Sequence, residues 1–221
     1  MRADEKMRGN SSQAEMIIRT IRPTWSREIQ VRTWMLQKDY AMIMVLSPPR
    51  EKGIVFLKRK KEVWNWMPAL ERTIKLPPSM MSQSWMGTDF TNDDLVKESS
   101  VVDDYVHRIV ADTIISGREC HIIEFIPKPS TAVVWGKLLV GIDKKDYIEL
   151  YTAFYDESGV LVNVMIASDI RMMDGRLLPT RFQMMPADKP GQKTEIIYRS
   201  LRFNRKIDPG LFTIEQMKRL N

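Results

Sequence analysis

Cys120, His107 and His121 are the side chains of this 221-residue chain best suited to act as nucleophile, base or soft metal ligand. Cys120 and His121 are neighbours, as a thiol and its base would be. They fall in a segment, 118–126, that reads as a strand, where successive side chains point to opposite faces, so the pair cannot meet. The turn at Ser116-Gly117 folds 105–115 back onto this segment and sets Ile115 against Arg118, Thr113 against Cys120 and Asp112 against His121. The expected product is a half-exposed cross-strand ion pair. Strict alternation puts His107 on the opposite face from Asp112, which leaves the pair short of metal ligands. Glu124 also lies across its strand from His121, so Asp112, His121 and Glu124, the modest candidates for an enzyme on this scaffold, do not converge.

Asp89, Asp93 and Asp94 form the densest acidic group. A Ca²⁺ loop needs alternating oxygen ligands, a central glycine and a terminal glutamate, which this spacing lacks, so helix capping is the expected role. No nucleophile elbow, zinc-protease helix, phosphate-binding loop or dinucleotide glycine pattern is present. The basic run Lys58-Arg59-Lys60-Lys61 sits at an expected hairpin tip with Trp64 and Trp66 nearby, as a single-strand nucleic-acid module would have it. No RNA- or DNA-binding signature accompanies it, and nucleic acid is not an expected partner.

The composition, 43% hydrophobic and 28% charged, is that of a globular protein and excludes disordered and collagen-like classes. A single cysteine excludes an internal disulfide framework and a cysteine-clustered metal site. Charges interrupt every apolar run before the roughly 18 residues a membrane-spanning helix needs. The first residues, Met-Arg-Ala-Asp-Glu-Lys, hold no apolar signal core. Lys+Arg exceed Asp+Glu by 34 to 28, a net +6 that favours anionic partners.

Short segments rich in Ile, Val, Tyr and Trp, separated by turn chemistry, predict a mainly β protein. Strands are expected at 14–22, 27–37, 40–47, 53–59, 62–67, 72–75, 105–115, 118–126, 148–155, 161–172, 177–184 and 193–203. The turns at Ser116-Gly117, Asp156 to Gly159 and Asp174-Gly175 make the second half an antiparallel meander. Capping patterns predict short helices at 92–98 and from Thr213 to near Arg219. The methionine-rich stretch 76–90, flanked by prolines, reads as a helical or looped cover. With no repeat, low-complexity tract or Gly/Ser linker, the whole of 1–221 is expected to be one domain.

A half-wet sheet alternates apolar and polar residues, and Tyr40-Ala-Met-Ile-Met-Val-Leu46 does not. Either this strand is sandwiched between core and cover, or one face lines an apolar cavity. Sixteen methionines and six tryptophans point modestly to a cavity, because flexible thioethers suit varied apolar partners, although methionine also fills ordinary cores.

The stretch Gly53-Ile-Val-Phe-Leu-Lys-Arg-Lys-Lys-Glu-Val-Trp64-Asn-Trp66-Met-Pro68-Ala-Leu-Glu-Arg72, followed by Met86-Gly87-Thr88-Asp89-Phe90-Thr91-Asn92-Asp93-Asp94-Leu95, resembles the LolA-like family of outer-membrane lipoprotein-sorting proteins. Gly117 before a strand, 161–169 and Leu178-Pro179-Thr180 extend the similarity over nearly the whole chain. The resemblance implies an exported protein with an open, strongly curved antiparallel sheet, an incomplete barrel, around short helices that form a plug or lid. It further implies a periplasmic carrier of lipoprotein acyl chains or lipids that binds no cofactor and catalyses nothing, and that meets an inner-membrane transporter, an outer-membrane acceptor and the membrane periphery. A regulatory or interaction domain of the same architecture, with a filled interior, is the alternative. No lid-locking arginine of the dedicated carrier matches a position here, and the lack of a lipid-attachment cysteine near the start fits a soluble carrier. Family position and composition make Trp64, Trp66, Met80, Met81, Trp85, Met86 and Phe90 the expected lid and cavity wall, with Met42 and Met44 behind them.

Overall fold

The computed structural model describes residues 2–60, 62–96, 102–129, 131 and 133–220. A short helix, α1 (Arg2–Arg8), precedes six strands: β1 (Ser11–Ile21), β2 (Ser26–Leu36), β3 (Tyr40–Ser47), β4 (Val55–Arg59), β5 (Glu62–Met67) and β6 (Arg72–Lys75). After a crossing segment that contains α2 (Asn92–Val96), seven more follow: β7 (Tyr105–Ile115), β8 (Arg118–Pro127), β9 (Lys137–Asp143), β10 (Glu149–Tyr155), β11 (Leu161–Met173), β12 (Arg176–Pro186) and β13 (Lys193–Phe203). α3 (Ile214–Arg219) closes the order. All thirteen strands make one antiparallel sheet, ordered β6-β5-β4-β3-β2-β1-β13-β12-β11-β10-β9-β8-β7 and not closed into a barrel.

This order dictates the rest of the architecture. The first and last strands pair in the middle, with Ile18 opposite Ile196, while β6 and β7 are the two free edges. The segment between those edges, described at 76–96 and 102–104, therefore lies across the sheet, with Trp85 against Phe56 of β4 and Asp89 against Thr194 of β13. The sheet bends around it, helped by bulges at Glu15/Met16, Gln30/Val31 and Ile109/Ala111. One core consequently gathers side chains from both halves, among them Ile18, Ile43, Phe56, Trp85, Phe125 and Phe154.

A second apolar layer lies on the outer face. Met42, Met44, Val55 and Leu57 pack there against Phe212 and Met217, which α3 and its preceding turn lay over β3 to β5. Alternation along β3 explains its two apolar faces: Ile43 and Val45 enter the inner core, whereas Met42 and Met44 enter the outer layer. The strand is thus sandwiched between core and cover, and the alternative of a cavity face does not hold for it. Thr213 caps α3 by accepting from the Gln216 N–H at 3.2 Å, as its capping pattern predicts.

Local chemistry accounts for the turns. Ser116 and Gly117, and again Asp174 and Gly175, all take positive φ, the geometry of a type I′ hairpin. Two elements escape the sequence pattern. β9 carries Gly141, a weak strand former, against which Ile115 packs so closely that a Cβ there would lie 2.4 Å from its Cδ1 and require that side chain to shift. α1 has too little apolar periodicity to be read alone. The helix expected at 92–98 is present as Asn92–Val96, with Thr91 and Asp94 as a reciprocal capping pair, and 97–98 lie outside the described residues.

Candidate ligand-binding cavity

A cavity of about 700 Å³ lies on the inner face of the β7–β13 half and reaches β1 and β2 at Ser12, Ala14, Thr33 and Met35. Its wall alternates along the strands, with Leu138 and Val140 from β9, Phe154 from β10, Leu178 and Met184 from β12 and Ile196 from β13. The crossing segment and α1 stop its two ends. β1 separates them, since α1 precedes Ser11 whereas Arg22, which binds the crossing segment, follows Ile21.

The crossing-segment end is tightly fastened. Arg22 donates from both terminal nitrogens to the two carboxylate oxygens of Asp89, each at 2.9 Å, in a pair with side chains 13% and 7% exposed. Such a two-pronged charged contact is the strong form of the ion pair. Thr194 Oγ1 donates to the same carboxylate at 2.7 Å, and Arg27 donates to the Met86 carbonyl at 2.9 Å. Trp85 is fully buried beneath, its ring 5.4 Å from that of Phe56. Asp94 is half-buried on the cavity wall, where it accepts from Trp135 Nε1 at 2.9 Å and from the Thr91 N–H at 2.8 Å. Burial holds its carboxyl above the usual carboxylate range, against those hydrogen bonds. Burial likewise raises the Tyr105 phenol, whose hydroxyl donates to the Trp135 carbonyl at 3.2 Å.

The α1 end is held more lightly. Met7 packs against the small cluster of Ala14, Leu178, Leu201 and Phe203. Arg176 donates to the carbonyls of Glu5 and Lys6 at 3.0 and 2.9 Å, and Lys6 donates to the Asp146 carbonyl. Gly9 joins the helix to β1 with φ +64°, a left-handed bend that favours glycine. Met7, Lys6, Asp4 and Arg8 all line the cavity from this end.

Of the nine residues expected at the site, Phe90 lines the cavity. Trp85 and Met86 belong to the packed inner core, and Met81 pairs with Val63 in a separate cluster beneath the crossing segment. Met80, half-buried, offers its carbonyl to Asn92 Nδ2 at 2.9 Å. Met42, Met44, Trp64 and Trp66 occupy the outer layer, because the parity of β3, β4 and β5 turns them away from the hollow. Their sulfur and ring surfaces meet α3 and its flanks. The signal that would have found the wall is less conspicuous: the inward alternation of β9, β10, β12 and β13.

Asp112 and His121 do form the expected pair, Oδ1 to Nδ1 at 2.7 Å, and Lys144 takes the other carboxylate oxygen at 2.7 Å. Lys144 first and His121 second hold the Asp112 carboxyl below its ordinary range. The bulge at Ile109/Ala111 overturns one expectation. It inserts a residue, so His107 pairs with Phe125 and shares the face of His121 rather than opposing it. His107 stands edge-on to the Phe125 ring, 4.4 Å between centroids, on the cavity wall. Cys120 is fully buried, and burial raises its thiol. Among the described residues no group of three His, Cys, Asp or Glu could hold a metal, and no helix is long and apolar enough to cross a membrane.

In the basic run, Lys58 is buried and donates to the Lys38 carbonyl at 3.1 Å, Arg59 and Lys60 are exposed, and Lys61 lies outside the described residues. Lys75 and Lys218 approach the rings of Trp64 and Trp66, each at 5.7 Å.

Comparison with known proteins bears on this geometry. A family model described as an uncharacterized protein matches residues 37–219. No curated protein matches the chain. A DUF1329 family protein from Desulfovibrio piger superposes with a TM-score of 0.90 at 20% identity, over 98% of this chain and 95% of that one. A Vibrio parahaemolyticus domain described as an outer-membrane lipoprotein-sorting protein gives 0.84 at 22% identity, over 97% and 95%. A LolA superfamily protein from Nitrosomonas europaea gives 0.83 at 22% identity, with the same coverage. The fold is LolA-like.

Proposed function

Since the chain belongs to the family of uncharacterized proteins matched over residues 37–219 and has the LolA-like fold, we propose that it is a single-domain periplasmic carrier that binds acyl chains of lipoproteins or other lipids and performs no catalysis. The observation that carries this reading is the apolar hollow of about 700 Å³ between a curved sheet and its two end covers. Hydrocarbon leaving water for such a space gains about 0.8 kcal/mol per methylene. The names of two structural neighbours agree with it. An inner-membrane transporter and an outer-membrane acceptor are the partners this role requires, and exposed cations such as Arg59 and Lys60 would steer the carrier toward anionic headgroups with a salt-dependent on-rate.

The test is native mass spectrometry of protein taken from its own envelope, with solvent extraction of what co-purifies, alongside titration with a fluorescent fatty acid. A co-purifying amphiphile and saturable binding are expected. Absence of both sinks the carrier role. One observation favours a second reading, an interaction domain: edge strand β7 exposes Val106, Ile109, Val110 and Ile114. Unpaired apolar edges of this kind accept another strand.

A further inference from the structure

We infer that the cavity is a blind slot for one long hydrocarbon tail, entered past α1 with the headgroup left at that end, and therefore that the cargo is a single-tailed amphiphile rather than a three-tailed lipoprotein anchor. The inference rests on the carrier reading and deepens it.

Length, volume and the unequal end covers carry it. Leu178 and Met184 lie near the two ends of the wall on one strand, six residues apart, or about 20 Å at the usual strand rise. An extended chain advances about 1.2 Å per bond, judged from the reach of a polypeptide over its three bonds per residue, so the slot matches roughly 16 bonds. By the measure of a cavity of about 150 Å³ that holds one benzene, or about 25 Å³ per carbon, the cavity of about 700 Å³ holds roughly 28 carbons. One tail of slot length fills more than half of that, and the remainder falls short of a second tail. Three such tails would need about twice the space.

Direction follows from the fastenings. The crossing-segment end is shut by the two-pronged Arg22–Asp89 pair and by Trp85, fully buried in the core. At the other end, α1 presents a single packed methionine, Met7, and hangs on main-chain carbonyls held by Arg176. Gly9 supplies the bend on which the helix can swing. Lys6 and Arg8 line this mouth, and Arg8 keeps one buried terminal nitrogen, Nη1, without a hydrogen-bond partner. A polar headgroup parked there meets donors. A methyl terminus at the far end meets Phe90 and Phe154, beside Asp93 and Asp94, the latter with its carboxylate oxygens engaged by Trp135 Nε1 and the Thr91 N–H.

The experiment titrates the full chain with saturated fatty acids of ten to twenty-two carbons, a two-chain phosphatidylglycerol and a synthetic triacylated lipopeptide, with stoichiometry from native mass spectrometry. One tail per chain is expected, with affinity rising about fourfold per methylene up to sixteen to eighteen carbons and then levelling. Affinity that keeps climbing past twenty carbons, or tighter binding of the triacylated lipopeptide, overturns the single-tail slot and leaves the carrier reading standing. No binding by any probe removes both. Direction is read separately, with fatty acids brominated near either end and the emission lost on Trp135→Phe taken as the Trp135 signal. Bromine near the methyl end should quench it more, and the reverse order places the mouth at the crossing segment. The chain-length series needs no variant and decides the slot even if Trp135→Phe fails to fold.

Discussion

The two halves of the sheet make opposite use of similar apolar surface. The β1–β6 half carries the conspicuous residues, Met42, Met44, Trp64 and Trp66, and is packed on both faces over β3 to β5, with the crossing segment inside and α3 outside, while Ser12, Ala14, Thr33 and Met35 of β1 and β2 still border the hollow. The β7–β13 half is built from less conspicuous Leu, Val, Ile and Phe side chains, and its inner face borders the hollow. Side-chain type therefore does not mark a cavity. What marks it is where cover runs out: Trp85 fills the inner face of one half, whereas among the described residues of the same segment Phe90, Asp93, Asp94 and Val102 border the hollow of the far half without filling it.

The comparison can be broken at several places. The largest effect is expected from Trp85→Ala, which opens a void in the filled half and should cost about 3–5 kcal/mol by chemical denaturation. If the protein instead tolerates the change and binds longer tails, the filled half is already part of the slot. Asp89→Ala strands Arg22 in a largely buried position and should cost about 3 kcal/mol, with faster hydrogen exchange across 85–90 than in α1. Met217→Ala, on the outer layer, should cost about 2–3 kcal/mol yet leave fatty-acid affinity unchanged in a competition assay. A change in affinity there would mean that the two layers communicate.

The smallest effect concerns pH. Asp94 has its folded pKa raised by burial above the unfolded value, so the folded state is penalised once the carboxyl ionises, and the penalty fades as pH falls through the folded pKa. Asp94→Asn removes it. The variant's gain in melting temperature over the native chain should be larger at pH 8 than at pH 5. Equal gains at both values would show that Asp94 titrates as in water.

Much of the fold was legible because its signals are local. The Ser116-Gly117 turn fixed the pairing of β7 with β8, down to the contact of Asp112 with His121. The Thr213 cap and the Asp174-Gly175 hairpin were equally readable. The candidate site was legible mainly through Phe90 and the crossing segment as a cover. His107 was misplaced because a bulge is one inserted residue with no sequence mark of its own here, and it inverts the face of everything beyond it. Arg22 went unnoticed because its partner, Asp89, lies across the molecule, in a segment whose path is fixed only by the strand order.

From its residues alone the chain sets out a mainly β, antiparallel architecture with a methionine-rich cover, because alternation, turn φ angles and capping act over a few residues at a time. Which apolar face is filled and which stays hollow is a property of the whole sheet. It depends on the opposite placement of β6 and β7, the route of 76–96 across the sheet, and the separate covering of its two faces by α3 and the crossing segment, all of them contacts between residues far apart in sequence.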